Sequence, residues 1–274
     1  MEQLTNNIFV ETRWRGANTG FVTTTEGIVL IDVPPDIDKA KEWAKEIAKK
    51  GKIRYLINTE LHHDHWFTNS LFEGEIIAHE ATREMMVMMD LDFIRGRTSF
   101  LYKEPFHVPE AFELRLPTLT FSENMTLRLG KHTFQLIHTP GHSAGQIVVY
   151  IPEEKVAFVA DSVVTRIRTA FHDAITDDRW LESMKLIENL DAKIIVPGHG
   201  AILHDKDYIK TQTAVVRGFL EAVKAGKTQG VKMSEEVYRS IDPYYDTQPQ
   251  GIKGGSILAP SPMSKKTGKH GGGA

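Results

Sequence analysis

The chain contains no cysteine. Disulfides and thiolate ligands are therefore excluded, and any metal site must be assembled from His, Asp and Glu. Long apolar runs are also missing, with none approaching the ~20 residues that a membrane-spanning helix needs. The first residues, Met1-Glu2-Gln3-Leu4-Thr5-Asn6-Asn7, carry no basic stretch leading into an apolar core. They do not read as a signal peptide, so a cytoplasmic protein without a membrane partner is expected. Nor is there a surplus of positive charge: 33 Lys and Arg face 36 Asp and Glu, a formal charge of -3. Binding a phosphate backbone needs a concentrated positive field, so a small-molecule substrate is expected and nucleic acid is not.

What is present is a chain of 274 residues, long enough for one large domain or two small ones. Ile8 to Glu11, Thr19 to Thr24 and Gly27 to Val33 are short, β-branched segments that predict an opening antiparallel meander. Pro34-Pro35 stops it, and Asp36 is placed to cap a helix over Ile37 to Lys50, whose apolar residues recur at helical spacing. Strands follow at Ile53 to Asn58 and Ile76 to Ala78. Glu80 to Arg95 predicts one helix carrying Met85, Met86, Met88 and Met89, a cluster expected to fill core or make a homo-oligomer contact, with the lining of an adaptable substrate pocket as the alternative. Leu101 to Pro117, with three prolines, reads as a long irregular loop.

A second β-rich block runs through Met125–Leu129, Thr133–His138, Gln146–Ile151 and Val156–Val159. A helix over Asp178 to Leu190, capped by Asp177, precedes a strand at Lys193–Val196, and helices are predicted over Asp205–Ala225 and Ser234–Ile241. Residues 1–247 read as one domain, and 248–274, rich in Gly, Ser, Pro and Lys, as a flexible tail. Two β-blocks, each with its own helices, predict an α+β fold in which two sheets pack face to face with helices outside.

Four places share one feature, a His or Asp at the end of an apolar strand beside Gly, Pro or other polar residues. They are Glu60-Leu61-His62-His63-Asp64-His65; His142 in Thr139-Pro140-Gly141-His142-Ser143-Ala144-Gly145; Asp161 after Val156–Ala160; and His199 in Pro197-Gly198-His199-Gly200. Each alone is weak, since a lone Asp161 is more often a turn residue and a lone His142 or His199 a hydrogen-bonded loop histidine. Imidazole and carboxylate are nevertheless the side chains that bind divalent metals. In an extended run, residues 60, 62 and 64 would point to one side and face one cavity.

Together and in this order the four motifs resemble the metallo-β-lactamase superfamily, whose pattern is His-x-His-x-Asp-His, a Gly-His loop, an Asp at a strand end and a final Gly-His loop. The resemblance runs from about Ile8 to His199 and implies a four-layer αββα sandwich. Carried across, it implies that His62 and His142 hold a first metal, that Asp64, His65 and His199 hold a second, and that Asp161 bridges them. The departure is Glu60, which stands where the family has its first histidine. Three readings of it are open: a metal ligand, ranked first; a hydrogen-bonding group outside the ligand set; or a residue that binds substrate or moves a proton.

The resemblance implies one or two divalent metal ions. Zinc is the first expectation, with iron or manganese as the alternative because a third carboxylate makes the ligand set harder. The reaction implied is hydrolysis of an ester, lactone, thioester or related small molecule by a metal-activated water, with Asp64 orienting or deprotonating it. The competing readings are a non-haem iron oxidoreductase on the same fold and a non-catalytic metal-binding protein. His63 and Trp66 read as packing or hydrogen-bonding residues. Arg166, Arg168, His172 and His204 are candidates to reach a substrate, and most of them read as surface.

Overall fold

In the computed structural model, which describes residues 1–101, 105–167 and 169–228, the first sheet takes its strands in sequence order. They are β1 (Glu2–Gln3), β2 (Ile8–Glu11), β3 (Thr19–Thr24), β4 (Gly27–Ile31), β5 (Ile53–Ile57), β6 (Glu75–His79) and β7 (Leu119–Phe121). Pairing is antiparallel as far as β4 and parallel from β4 to β7. The second sheet, from β8 (Asn124–Leu129) through β9 (His132–His138), β10 (Ile147–Ile151) and β11 (Val156–Phe158), is antiparallel until β12 (Ile194–Val196) joins β11 in parallel.

Strands with two apolar faces must be covered on both sides, and the period of two assigns each residue its partner layer. Ile8, Val10, Val29, Ile57 and Ile77 of the first sheet pack against Phe134, Leu136, Ile147, Val149 and Phe158 of the second. The alternate residues Phe9, Phe21, Leu30, Leu56 and Ile76 face Ala40, Trp43 and Ile47 of α1 (Ile37–Ala48). Likewise Val148, Ala157 and Ile195 turn outward onto Trp180, Met184 and Ile187 of α5 (Arg179–Asn189) and Phe219 of α6 (Asp207–Lys224). The result is the predicted four-layer αββα sandwich. Asp36 caps α1 by accepting from the backbone N–H groups of Asp38 (2.9 Å) and Lys39 (3.0 Å). Asp177 accepts from the N–H of Arg179 at 3.0 Å, at the start of α5.

The methionine segment departs from expectation. It forms two helices, α3 (Glu80–Val87) and α4 (Leu91–Leu101), because Asp90 accepts from the Phe93 N–H at 2.8 Å and starts a new helix. Met86 is fully buried and Met89 partly packed, whereas Met85 and Met88 are 38% and 66% exposed. The short edge strands β1 and β7 carry no strong apolar pattern and are not predicted from sequence. The expected helix at 234–241, the tail 248–274 and the domain limit at 247 lie outside the described residues.

Candidate metal centre

Parallel pairing brings the C-terminal ends of β4 and β5 to one edge of the first sheet. The Ile147 N–H donates to Thr59 O at 2.9 Å, stapling that edge to the start of β10 in the second sheet. The segments that leave β5, β9, β11 and β12 consequently open onto one region, and they are the four that carry the motifs.

Residues 60–62 form a bend after β5, His62 has extended backbone, and α2 (His63–Trp66) begins immediately after it. The expected extended run through residue 64 is therefore interrupted. The His65 N–H donates to His62 O at 3.0 Å and the Trp66 indole N–H to Leu61 O at 2.7 Å, closing a helical turn. The turn swings Asp64 away from Glu60 and His62 and towards His199. Two ligand groups result. In one, Glu60 Oε1 is 2.5 Å from His62 Nδ1, and His142 Nε2 is 3.1 Å from the same nitrogen. In the other, Asp64 Oδ2 is 3.5 Å from His199 Nε2 and stands with His65. Asp161 lies between them, Oδ2 being 3.4 Å from His142 Nε2 and 3.3 Å from His199 Nε2, and Oδ1 3.5 Å from His65 Nε2.

Each imidazole is tethered at its outward nitrogen. His62 Nε2 meets Asp173 Oδ2 at 2.9 Å, His65 Nδ1 meets Asp32 Oδ2 at 2.8 Å, and His142 Nδ1 and His199 Nδ1 meet the carbonyls of Ala170 and Gly16, both at 2.9 Å. An N–H spent on an outer acceptor leaves the other nitrogen as a lone-pair donor towards the cluster, the arrangement metal-ligating histidines adopt. His65 Nε2 and Asp161 Oδ1 are buried without a hydrogen bond. Such orphaned atoms are costly, and a cation between them would satisfy both. The close approach also needs Gly198, where a Cβ would collide with the Asp161 carboxylate.

Burial alone would raise the Glu60 carboxyl, but the imidazoles of His62, His142 and His65 pull it below its ordinary value. Asp64 is likewise buried, yet His199, His65 and His63 bring it down to about 2. Asp161 is held well below the ordinary range by His199 and His65 against its own burial. For His62, burial opposes the charge, but Glu60 and Asp173 outweigh it and raise the imidazole to about 10. A buried set of anionic carboxylates thus keeps a positive charge on His62, in the place where a divalent cation would relieve it. His63 belongs to neither ligand group although it lines the same cleft; its Nε2 has no hydrogen-bond partner among the described residues, and burial pushes it down to about 4.

The centre opens into a cleft of about 310 Å³ whose walls include Trp14, Arg15, Arg166, Ile167 and His172. His172 and Asp173 approach His62 from its outer side, with Asp173 also accepting from Arg97 at 3.0 Å. Arg166 reaches the cleft, His204 does not line it, and Arg168 lies outside the described residues. Sequence reasoning missed Asp32 and Asp173. Asp32 bears the same mark as the flagged motifs, an acid directly after the apolar strand β4 and near Pro34-Pro35, and could have been found. Asp173 sits in an irregular segment and has no comparable signal.

The sequence model of the metallo-beta-lactamase superfamily matches residues 12–199. The chain is 25% identical over 192 residues to the beta-lactamase-like protein 2 homolog of Caenorhabditis elegans, a match covering 69% of this chain and 57% of that protein. It therefore spans little more than half the length of that relative. Over 229 residues it is 25% identical to metallo-beta-lactamase type 2 of Elizabethkingia meningoseptica, covering 78% of this chain and 81% of the other. Among solved structures, a metallo-beta-lactamase from Pontibacter korlensis superposes with a TM-score of 0.60 at 18% identity, over 79% of this chain and 97% of that one. At that identity the likeness is one of fold.

Proposed function

The chain belongs to the metallo-beta-lactamase superfamily, and from that premise we propose that it is a metal-dependent hydrolase of a small ester, lactone, thioester or related carbonyl compound. The observation that carries the reading is the set of four outward-tethered imidazoles converging on three buried carboxylates. Glu60, His62 and His142 would hold one ion, Asp64, His65 and His199 a second, and Asp161 would touch both. Zinc suits the imidazole majority, and the third carboxylate admits iron or manganese. When bound, such ions supply Lewis acidity that polarises a carbonyl and acidifies water.

The chain's own residues do the rest. Asp64, anionic at neutral pH, accepts a hydrogen bond from the attacking water and relays its proton towards the leaving group; its low basicity means that it does not retain that proton. Asp32 and Asp173 keep His65 and His62 in the tautomer that faces inward. The cleft is sized for a small molecule, and Trp14 and Ile167 give it apolar wall beside the charged groups of the centre. Among the described residues no helix is long and apolar enough to cross a membrane.

A panel of lactones, thioesters and aryl esters tests this reading. Asp64→Ala is expected to lower turnover of a responsive substrate by about a thousandfold or more while leaving the fold intact, in line with losses seen when a group acting in the transition state is removed. Unchanged turnover would refute the role given to Asp64. The abundance of carboxylate favours one competing reading, a non-haem iron oxidoreductase. Iron as the native metal, with oxygen consumption and no hydrolysis, would establish it instead.

A further inference from the structure

Glu60 is fully buried, and the two oxygens of its carboxylate have different surroundings. Oε1 faces the ligand cluster, 2.5 Å from His62 Nδ1 and 3.4 Å from His65 Nε2. Oε2 accepts a hydrogen bond from the Ser143 hydroxyl at 3.2 Å and lies 3.7 Å from His142 Nε2. Once a metal occupies His62 Nδ1, the Ser143 hydroxyl is the one hydrogen-bond donor to the Glu60 carboxylate among the described residues. Ser143 is itself fully buried. Its carbonyl accepts from the Gly141 N–H at 3.1 Å, and its loop is closed by the Thr139 N–H donating to Gln146 O at 2.9 Å. The same loop carries His142, so one rigid turn delivers a ligand and grips its neighbour.

A histidine at position 60 would need no such grip, because an imidazole offers a single lone pair and its outward N–H takes the tether. A carboxylate offers two equivalent oxygens and rotates unless one of them is held. We propose that Ser143 is the positioning residue for Glu60: its hydroxyl holds Oε2 and thereby commits Oε1 to the first metal. The proposal rests on the reading of Glu60 as a ligand and adds the device that makes a glutamate usable where the family places a histidine.

Cobalt(II) titration of metal-stripped protein, followed by its visible absorption and by chelator competition, tests the proposal without recourse to activity. Ser143→Ala, which deletes a single buried oxygen, is expected to weaken about tenfold, and to alter the absorption band of, the step that fills the Glu60–His62–His142 position (termed the first step, whichever position fills earlier), leaving the other step unchanged. Combined with Glu60→His, the same Ser143→Ala change is expected to shift the first step less than about twofold. Equal losses in both backgrounds would make Ser143 a general support of the loop and overturn the proposal, as would an unaltered first step in Ser143→Ala alone. Glu60→Gln separates the two levels of the argument. If it leaves the first step intact, the ligand reading fails and the positioning role fails with it; if it weakens that step while Ser143→Ala does not, only the positioning role is lost.

Discussion

The two ligand groups are built to different standards. His65, in the second group, is tethered to Asp32, which is buried at the end of β4 and is held in turn by the Thr59 N–H (2.8 Å) and hydroxyl (2.5 Å) beyond β5. That half of the centre is continuous with the first sheet. His62, in the first group, is tethered to Asp173, whose side chain is 34% exposed and which is pinned by Arg97 from α4. That half depends on loop residues, and it also holds the departure from the family pattern, Glu60. The contrast teaches that the sheet fixes one ligand group through a buried carboxylate, while the other hangs on a partly exposed carboxylate from an irregular segment.

The two tethers should therefore fail differently. Asp32→Asn is expected to have the larger effect, because it removes charge from a buried hydrogen-bonded pair. Metal affinity at the second position should fall about 10–100-fold, and stability by about 2 kcal/mol or more. Chelator competition and denaturant unfolding of the metal-free protein would measure the two losses. Asp173→Asn should weaken the first position about tenfold while costing less than about 1 kcal/mol of stability, since its pairing is partly solvated. Equal stability losses in the two variants would erase the distinction between a sheet-built and a loop-built half.

Much of the architecture is legible in the sequence because each strand alternates between two apolar faces, as Ile8-Phe9-Val10 and Ile147-Val148-Val149 do, and only a layered sandwich buries both. The metal-friendly residues were legible for a related reason: each follows such a strand, where a sheet edge collects them. Local conformation within the motif was not. Residues 60, 62 and 64 do not share one extended face, because the turn closed on Leu61 O and His62 O sends Asp64 to the other group. Asp173 comes from an irregular segment and the Arg97 that pins it from α4, 76 residues away, and only tertiary packing brings that pair to the outer side of His62. The break between α3 and α4 is set by the Asp90 side chain accepting from the Phe93 N–H, a local hydrogen bond that the methionine run does not announce.

The central claim is that two divalent ions bind the seven side chains Glu60, His62, Asp64, His65, His142, Asp161 and His199. Calorimetric titration of zinc into metal-stripped protein, repeated across pH and in buffers of different ionisation enthalpy, tests it most directly. Because His62 is raised to about 10 in the metal-free protein, it is protonated at pH 7 and a metal must displace that proton. Binding should therefore release protons, and affinity for the first ion should rise with pH by about tenfold per unit for each proton displaced. The account predicts two ions per chain with that pH dependence. No binding, or binding indifferent to pH between 6 and 8 (roughly the range a neutral buffer series spans), would contradict it.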